Sequence, residues 1–230
     1  MSPADAFVHF GPSHLAALAV VGALALVAAV GPRHWPALAL SRRGRRVLAG
    51  VLILELVGWH GLSALQGAFD PATDLPLHLC DVNQLLLAVY LVRPRARLFD
   101  VLYHWVLTSA SLALLFPDLA TDFPSAAYFS MFSTHGLSLV VLCHLAWGLR
   151  TRPGARSAEA ALAALGLYAV PVAALNGLVG GNYLYLSELP AVPVPLMGSL
   201  PPAPYYWPVG AAFLYLVFRG LLRLAPGRER

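Results

Sequence analysis

Seven stretches of about 20 mostly apolar residues constrain the fold of this chain more than any other feature, because a helix of that length crosses a hydrocarbon core of about 30 Å. The stretches lie near Gly11 to Val30, Val47 to Gln66, Pro76 to Val92, Arg97 to Phe116, Tyr128 to Leu149, Ala158 to Val179 and Trp207 to Arg223. Hydrophobic residues make up 59% of the 230 positions and charged residues 11%, against about 25% charged in soluble domains. The sequence therefore predicts an all-α polytopic membrane protein, with residues 1–230 forming one seven-helix transmembrane domain.

The basic residues occupy alternate connections between these stretches. All 15 are arginines. They lie in the first, third and fifth connections and in the C-terminal tail: Arg33, Arg42, Arg43, Arg45, Arg46, Arg93, Arg95, Arg97, Arg150, Arg152, Arg156, Arg219, Arg223, Arg228 and Arg230. The N-terminus and the other connections carry acidic residues instead: Asp5, Asp70, Asp74, Asp118, Asp122 and Glu188. Because short cytoplasmic loops retain positive charge, this pattern predicts a plasma-membrane protein with its N-terminus outside and its C-terminus in the cytoplasm.

Charge and cysteine placement limit the binding partners, the signal-peptide cleavage and the disulfide bonding that can be expected. The formal net charge of +4 is an orientation signal, and its arginines could contact anionic lipid headgroups; it does not indicate a nucleic-acid partner. Nothing in the sequence identifies a protein partner. The first apolar stretch lacks a basic segment before it and a small-residue cleavage site, so it is predicted to be a retained helix. Cys80 and Cys143 fall near opposite faces of the membrane, too far apart for a disulfide bond.

The sixth connection, residues 180–206, is the longest. It is rich in proline and ends in three aromatic residues, Tyr205, Tyr206 and Trp207. Proline content alone is compatible with a disordered linker. Its apolar and interfacial aromatic residues favour a loop that lies over the outer mouth of the bundle.

Polar residues from six of the predicted helices converge at one depth, in the outer half of the membrane. The set comprises Ser13, His14, His60, Gln66, His78, Cys80, Asp81, Asn83, Gln84, Ser109, Ser111, Ser133, Thr134, His135 and Asn176, with Glu55 near the middle of the membrane and Asn182 and Tyr183 following outside. Buried ionisable groups in a bilayer are costly, so such a layer indicates a polar cavity. In the other half, Asp100 and His104 stand at i, i+4 spacing and are predicted to hydrogen-bond to each other.

Two kinds of chemistry fit this layer poorly. A retinal Schiff base needs a lysine, and the chain has none. An intramembrane zinc hydrolase usually carries a paired HxxxH or HExxH motif, and neither occurs, so no metal or other cofactor is expected. A zinc site built from His14, His60 and His135 stays open as an alternative.

Covalent acyl transfer needs a nucleophile, a base and donors for an oxyanion, and the layer supplies all three. Cys80 follows a plausible helix start, where the helix dipole favours a thiolate, and His135 lies at similar depth on another helix. Gln84, one turn from Cys80, and the amides of Asn176 and Asn182 are the candidate oxyanion donors. His14, Glu55, His60 and Tyr183 are predicted to orient His135 or to line the substrate site.

These residues sit in segments that resemble the YwaF-like family of integral membrane proteins, related to the animal transmembrane protein 164. The segments are Phe10-Gly11-Pro12-Ser13-His14-Leu15, Glu55 with His60, Leu75-Pro76-Leu77-His78-Leu79-Cys80, Leu115-Phe116-Pro117-Asp118-Leu119, Phe132-Ser133-Thr134-His135-Gly136 and Gly181-Asn182-Tyr183. The resemblance implies that Cys80 and His135 are catalytic. The animal relative is described as an acyltransferase that moves a polyunsaturated chain from a diacyl phospholipid onto an ether lysophospholipid.

The expected function is therefore transfer of a fatty acyl chain between phospholipid and lysophospholipid through an acyl-thioester. The alanine-, leucine-, arginine- and proline-rich composition without lysine suggests a GC-rich bacterial genome, in which ether lipids are unusual, so the substrate stays open. Two alternatives use the same residues without covalent chemistry. One is a lipid or small-molecule binding or transport protein, and the other is a polar layer that only holds the helices together.

Overall fold

A computed structural model describes residues 6–190, 192–195 and 197–227. Asp5, Arg228 and Arg230 of the predicted charge pattern lie outside these ranges. The described residues form seven α-helices and no β-strand apart from an isolated bridge between Ala6 and Thr121. The helices are α1 (Pro12–His34), α2 (Arg42–Leu65), α3 (Leu79–Val92), α4 (Ala96–Leu115), α5 (Ala126–Cys143), α6 (Ser157–Val179) and α7 (Tyr206–Leu224). The predicted all-α fold with seven helices is thus confirmed.

Several helix ends follow from local sequence. Ser41 precedes α2 and Ser125 precedes α5, and each hydroxyl accepts the backbone N–H of the third residue after it, at 3.1 Å in both cases. Helix α6 ends at Gly180, whose φ of 69° is the left-handed conformation in which glycine carries no steric penalty. Helix α5 continues into a π-helical turn, His144–Gly148.

Hydrogen bonds join the helix ends that carry the arginines. Arg33 of α1 bonds Trp147 after α5, Trp147 bonds Leu224 of α7, and Tyr103 of α4 bonds Leu221 of α7. Leu40 before α2 bonds His144 after α5, and Ser157 at the start of α6 bonds His104 of α4. Every described arginine therefore lies at one end of the bundle, formed by the ends of α1, α3, α5 and α7 and the starts of α2, α4 and α6. We call this the arginine end.

Helices α3, α4 and α5 form the centre of the bundle. Helix α2 packs on α3, α1 on α5, α6 on α4 and α7 on α6. Glycine permits the close approach of α1 to the chain around α5, because a Cβ at Gly136 would lie 2.8 Å from Val21, and one at Gly148 would lie 2.5 Å from the carbonyl oxygen of Ala28. Small residues at helix contacts are typical of membrane bundles.

Six of the seven helices are long and apolar enough to cross a membrane, so the chain is a polytopic membrane protein. The exception is α3, whose 14 residues extend about 21 Å, less than the core thickness of about 30 Å. The sequence placed this span from Pro76, whereas the helix begins three residues later, at Leu79.

The predicted hydrogen bond between Asp100 and His104 is wrong. Asp100 accepts the backbone N–H of Gly154 at 2.7 Å, and His104 Nε2 lies 2.9 Å from the hydroxyl oxygen of Ser157. The two partners come from the residues just before α6 and from its first residue, which the packing of α6 on α4 brings to these side chains.

Candidate functional site

The start of α3 is fixed by two tyrosines from distant parts of the chain. The hydroxyl of Tyr183 accepts the backbone N–H of Leu75 at 2.7 Å, and the hydroxyl of Tyr168 donates to the carbonyl oxygen of Leu77 at 2.9 Å. These bonds hold the residues before the helix in a non-helical conformation. As a result, Cys80 is the second residue of α3.

The first turn of α3 has backbone N–H groups near Cys80. Those of Leu79 and Cys80 have no backbone acceptor among the described residues, as expected for a helix start. Cys80 lies in this turn beside these N–H groups, and the N–H of Asp81 donates to the His78 carbonyl oxygen at 3.1 Å. The site thus has the donors and the positive end of a helix dipole that stabilise developing negative charge.

Asp81 connects the ionisable groups of the site. The Cys80 thiol donates to Asp81 Oδ1 at 3.8 Å, and Nε2 of His60 on α2 lies 3.6 Å from the same oxygen. The Asp81 carboxylate is also within Coulombic range of the His135 and His78 rings. One carboxylate therefore acts on the cysteine and three histidines.

The backbone of α5 fixes the tautomer of His135. Nδ1 lies 2.8 Å from the carbonyl oxygen of Met131, which can only accept, so Nδ1 carries the proton and Nε2 has the free lone pair. The ring is buried, with 9% of the residue exposed. Within the described ranges no hydrogen bond joins His135 to Cys80, whose thiol is bonded to Asp81.

Gln84, one turn along α3 from Cys80, is buried and pairs with the half-buried Glu55. The amide nitrogen of Gln84 donates to Glu55 Oε2 at 2.8 Å, and Gln84 is 1% exposed. This bond crosses from α3 to α2, beside the contact between Asp81 and His60. Two polar contacts thus join the two helices within the turn that follows Cys80.

The structure places the predicted amides Asn176 and Asn182 in the support of the sixth connection. Asn176 bonds both the N–H and the carbonyl oxygen of Tyr183, each at 3.0 Å. Asn182 accepts the N–H groups of Ser187 and Glu188 at 3.0 and 3.2 Å and donates to the Glu188 carbonyl oxygen at 2.8 Å. Their polar atoms therefore hold a loop rather than face the thiol.

Tyr183 and Tyr185 carry that loop across the start of α3. Tyr183 is 0% exposed, and its hydroxyl donates to the Pro71 carbonyl oxygen at 2.8 Å. The two tyrosine rings lie 5.1 and 5.3 Å from the His78 ring. Leu184 and Tyr185 both have positive φ, at 59° and 53°, which is an unfavourable conformation for side chains of this size.

His14 is a fully buried histidine with both ring nitrogens bonded. Nδ1 accepts the N–H of Phe10 at 2.8 Å, and Nε2 donates to the Leu114 carbonyl oxygen at 2.7 Å. It reaches α5 through the Phe132 ring, 5.7 Å away and one turn from His135. The structure therefore gives His14 a place in the aromatic packing between α1, α4 and α5.

Two tyrosines near the cysteine were not identified from the sequence. Tyr168 of α6 and Tyr185 of the loop both lie within Coulombic range of Cys80. Tyr168 lies in the middle of the sixth apolar stretch and Tyr185 in the loop after it, and an isolated tyrosine at either place carries no specific signal. Their proximity depends on the packing of α6 and on the loop conformation.

Outside the helices, the connection between α2 and α3 is held by Asp74. The Asp70 N–H donates to it at 3.0 Å and the Ser63 hydroxyl at 2.8 Å, and the hydroxyl of Thr73 also bonds it. Because these donors favour the ionised carboxylate, above all the Asp70 N–H, the pKa of Asp74 is lowered from its ordinary value. The described residues contain no group of three His, Cys, Asp or Glu side chains able to hold a metal ion.

Fold and site together define a polytopic helical membrane protein with a polar centre around a helix-terminal cysteine. The chain belongs to the TMEM164 family, whose model matches residues 9–222. It is also 28% identical over 184 residues to an uncharacterized protein of Treponema pallidum (strain Nichols), covering 80% of this chain and 76% of that protein. No solved structure matches. The family resemblance found in the sequence is thereby confirmed.

Proposed function

We propose that this protein is a membrane-embedded lipid acyltransferase with Cys80 as nucleophile and His135 as base. The observation that carries the proposal is the position of Cys80 at the second residue of α3, in a turn whose first N–H groups have no backbone acceptor among the described residues. Its thiol bonds Asp81, which also meets His60. The chemical precedent is the activated cysteine at a helix N-terminus.

In the first half-reaction, the thiol turns from Asp81 toward His135, and Nε2 removes its proton. The sulfur then attacks the carbonyl carbon of a phospholipid ester. The resulting oxyanion accepts hydrogen bonds from the first-turn N–H groups of α3 and from the Gln84 amide. The ester C–O bond breaks, His135 returns the proton to the departing oxygen, and the acyl chain stays on Cys80 as a thioester.

In the second half-reaction, the hydroxyl of a lysophospholipid gives its proton to His135 Nε2 and attacks the thioester carbonyl carbon. The C–S bond breaks and the thiol takes back the proton. No net proton, electron or water molecule is consumed, so the transfer needs no cofactor. The partners are a phospholipid donor and a lysophospholipid acceptor from the surrounding bilayer.

In this proposal the remaining site residues position the reacting groups and take no part in the making or breaking of covalent bonds. Asp81 and His60 orient the thiol and the base, and Glu55 holds the Gln84 amide. Asn176, Asn182 and Tyr183 keep the loop over the cysteine, and His14 fixes the helix that packs beside His135.

We further propose that all seven helices form a single transmembrane domain, with the arginine end in the cytoplasm and the opposite end outside the plasma membrane. Alanine-to-cysteine variants test the orientation in a chain without Cys80 and Cys143. A cysteine at Ala68 should react with an impermeant maleimide on intact cells, and one at Ala37 only after permeabilisation. The reverse pattern would overturn the orientation.

The catalytic assignment is tested by acyl transfer between defined lipids in vesicles that contain the purified protein. Cys80→Ala should reduce transfer to background, and the matched control Cys143→Ala should retain it. His135→Gln should lower the rate without weakening the apparent binding of either lipid, because the base acts on the bond changes. Full transfer by Cys80→Ala would rule out the thioester mechanism.

A further inference from the structure

A groove of about 650 Å³ lies at the arginine end between α3, α4 and α6. Leu86 and Val89 of α3 form one wall, Val101 and Trp105 of α4 form the floor, and Ala164 of α6 closes the other side. From Leu86 to Arg93 the groove follows two helical turns, about 11 Å. Its walls are apolar and its volume is within the range of small-molecule sites, about 300–1,000 Å³.

Three arginines form the rim of this groove. Arg93 follows α3, Arg95 precedes α4, and Arg97 is in the first turn of α4. All three are exposed, and within the described ranges none has a carboxylate partner or another hydrogen-bond acceptor. By contrast, Arg219 pairs with Glu159 at 3.4 Å, and Arg33 bonds the Trp147 carbonyl oxygen at 2.8 Å.

The combination of an apolar channel and an unpaired cationic rim indicates the chemistry of its occupant. An apolar molecule would leave the rim unpaired, and a free phosphate would leave the channel empty. A membrane lipid with an anionic phosphate headgroup satisfies both, since its acyl chain enters from the bilayer and its phosphate meets the guanidinium groups.

We propose that this groove is a binding site for an anionic phospholipid from the leaflet at the arginine end, with one acyl chain between α3, α4 and α6 and the phosphate on Arg93, Arg95 and Arg97. The site is separate from Cys80, which lies at the opposite end of α3. It holds whether or not the cysteine transfers acyl groups.

Native mass spectrometry of the purified protein titrated with dioleoyl phosphatidylglycerol or dioleoyl phosphatidylcholine tests the site. Each arginine near a lipid with net negative charge contributes about fivefold to affinity at low ionic strength. Phosphatidylcholine has the phosphate but no net charge, so the wild type should prefer phosphatidylglycerol. The triple variant Arg93→Gln, Arg95→Gln, Arg97→Gln should lose on the order of a hundredfold of that preference.

The matched control removes three other exposed arginines at the same end, with Arg42→Gln, Arg43→Gln and Arg46→Gln, and should keep the preference. Val89→Trp fills the channel and should weaken both lipids. Equal losses in the two triple variants would show diffuse attraction and overturn the site. The site would also be overturned if millimolar inorganic phosphate displaced phosphatidylglycerol and Val89→Trp bound the lipids unchanged. In that case only the headgroup would be recognised. Thermal unfolding of every variant in the same detergent verifies that it is folded.

Discussion

Removal of the Tyr183 hydroxyl should uncover Cys80. That hydroxyl is part of two hydrogen bonds, accepting the Leu75 N–H at 2.7 Å and donating to the Pro71 carbonyl oxygen at 2.8 Å. It therefore ties the sixth connection to the residues just before α3. Tyr183→Phe keeps the ring that packs on His78 and removes only these bonds.

The size of the effect follows from the groups left without partners. A hydrogen bond contributes about 0.5–1.5 kcal/mol, and an unsatisfied buried donor costs about 1–3 kcal/mol. Because the two bonds are part-buried, the lower end applies, and the loop should lose about 2 kcal/mol of stability. That corresponds to an increase of about 30-fold in the opening equilibrium constant.

Alkylation of Cys80 by N-ethylmaleimide, followed by mass spectrometry in a Cys143→Ser background, measures this opening. When reclosing is fast, the rate should rise about 30-fold in Tyr183→Phe, in proportion to the open population. Tyr205→Phe is the control, because Tyr205 is 70% exposed and its hydroxyl has no hydrogen bond to a described residue. Equal rates in the wild type and Tyr183→Phe would refute the role of this loop as the cover of the cysteine.

Two further predictions concern stability. Gly148→Ala should lower the free energy of unfolding by about 1–3 kcal/mol, seen as a lower thermal midpoint, because its Cβ would meet the Ala28 carbonyl oxygen at 2.5 Å. Gly166→Ala is the control: it has open space around it and should not destabilise the bundle. Because the pKa of Asp74 is lowered on folding, its ionised carboxylate stabilises the folded connection. The stabilisation is complete above the unfolded pKa of about 3.9 and is lost as the pH falls through the lower folded pKa. Hydrogen exchange of the Asp70 N–H, measured relative to an unstructured peptide at each pH, should therefore stay slow from pH 7 to about pH 5 in the wild type. It should be faster over the same range in Asp74→Asn. Equal protection in both proteins would contradict this role of Asp74.

The apolar stretches predicted the helices well, because their length depends on the bilayer rather than on particular contacts. All seven helices are present. The start of α3 was placed too early because Asp74 and Pro76 together form a plausible local helix start. The tyrosine hydroxyls that hold Leu75 and Leu77 in a non-helical conformation come from about 100 residues away in sequence.

The partners of the site residues could not be predicted from the sequence. Sequence could place Asn176 and Asn182 near the C-terminal end of α6 but not show that the backbone of the following loop uses their amides. The sequence also could not show that the Cys80 thiol donates a hydrogen bond to the neighbouring Asp81 carboxylate, or that this carboxylate also meets His60. Such choices among competing partners are made by tertiary packing, which leaves no periodic signal.

In the proposed mechanism, Cys80 carries the acyl group during transfer. This step is measured most directly by the intact mass of the protein after incubation with a phospholipid bearing an isotope-labelled acyl chain, in the absence of a lysophospholipid acceptor. The thioester mechanism predicts one added acyl mass that maps to Cys80, is released by neutral hydroxylamine and is absent in His135→Gln. Acyl transfer that proceeds with no adduct on Cys80, or with the label on Cys143 instead, would contradict it.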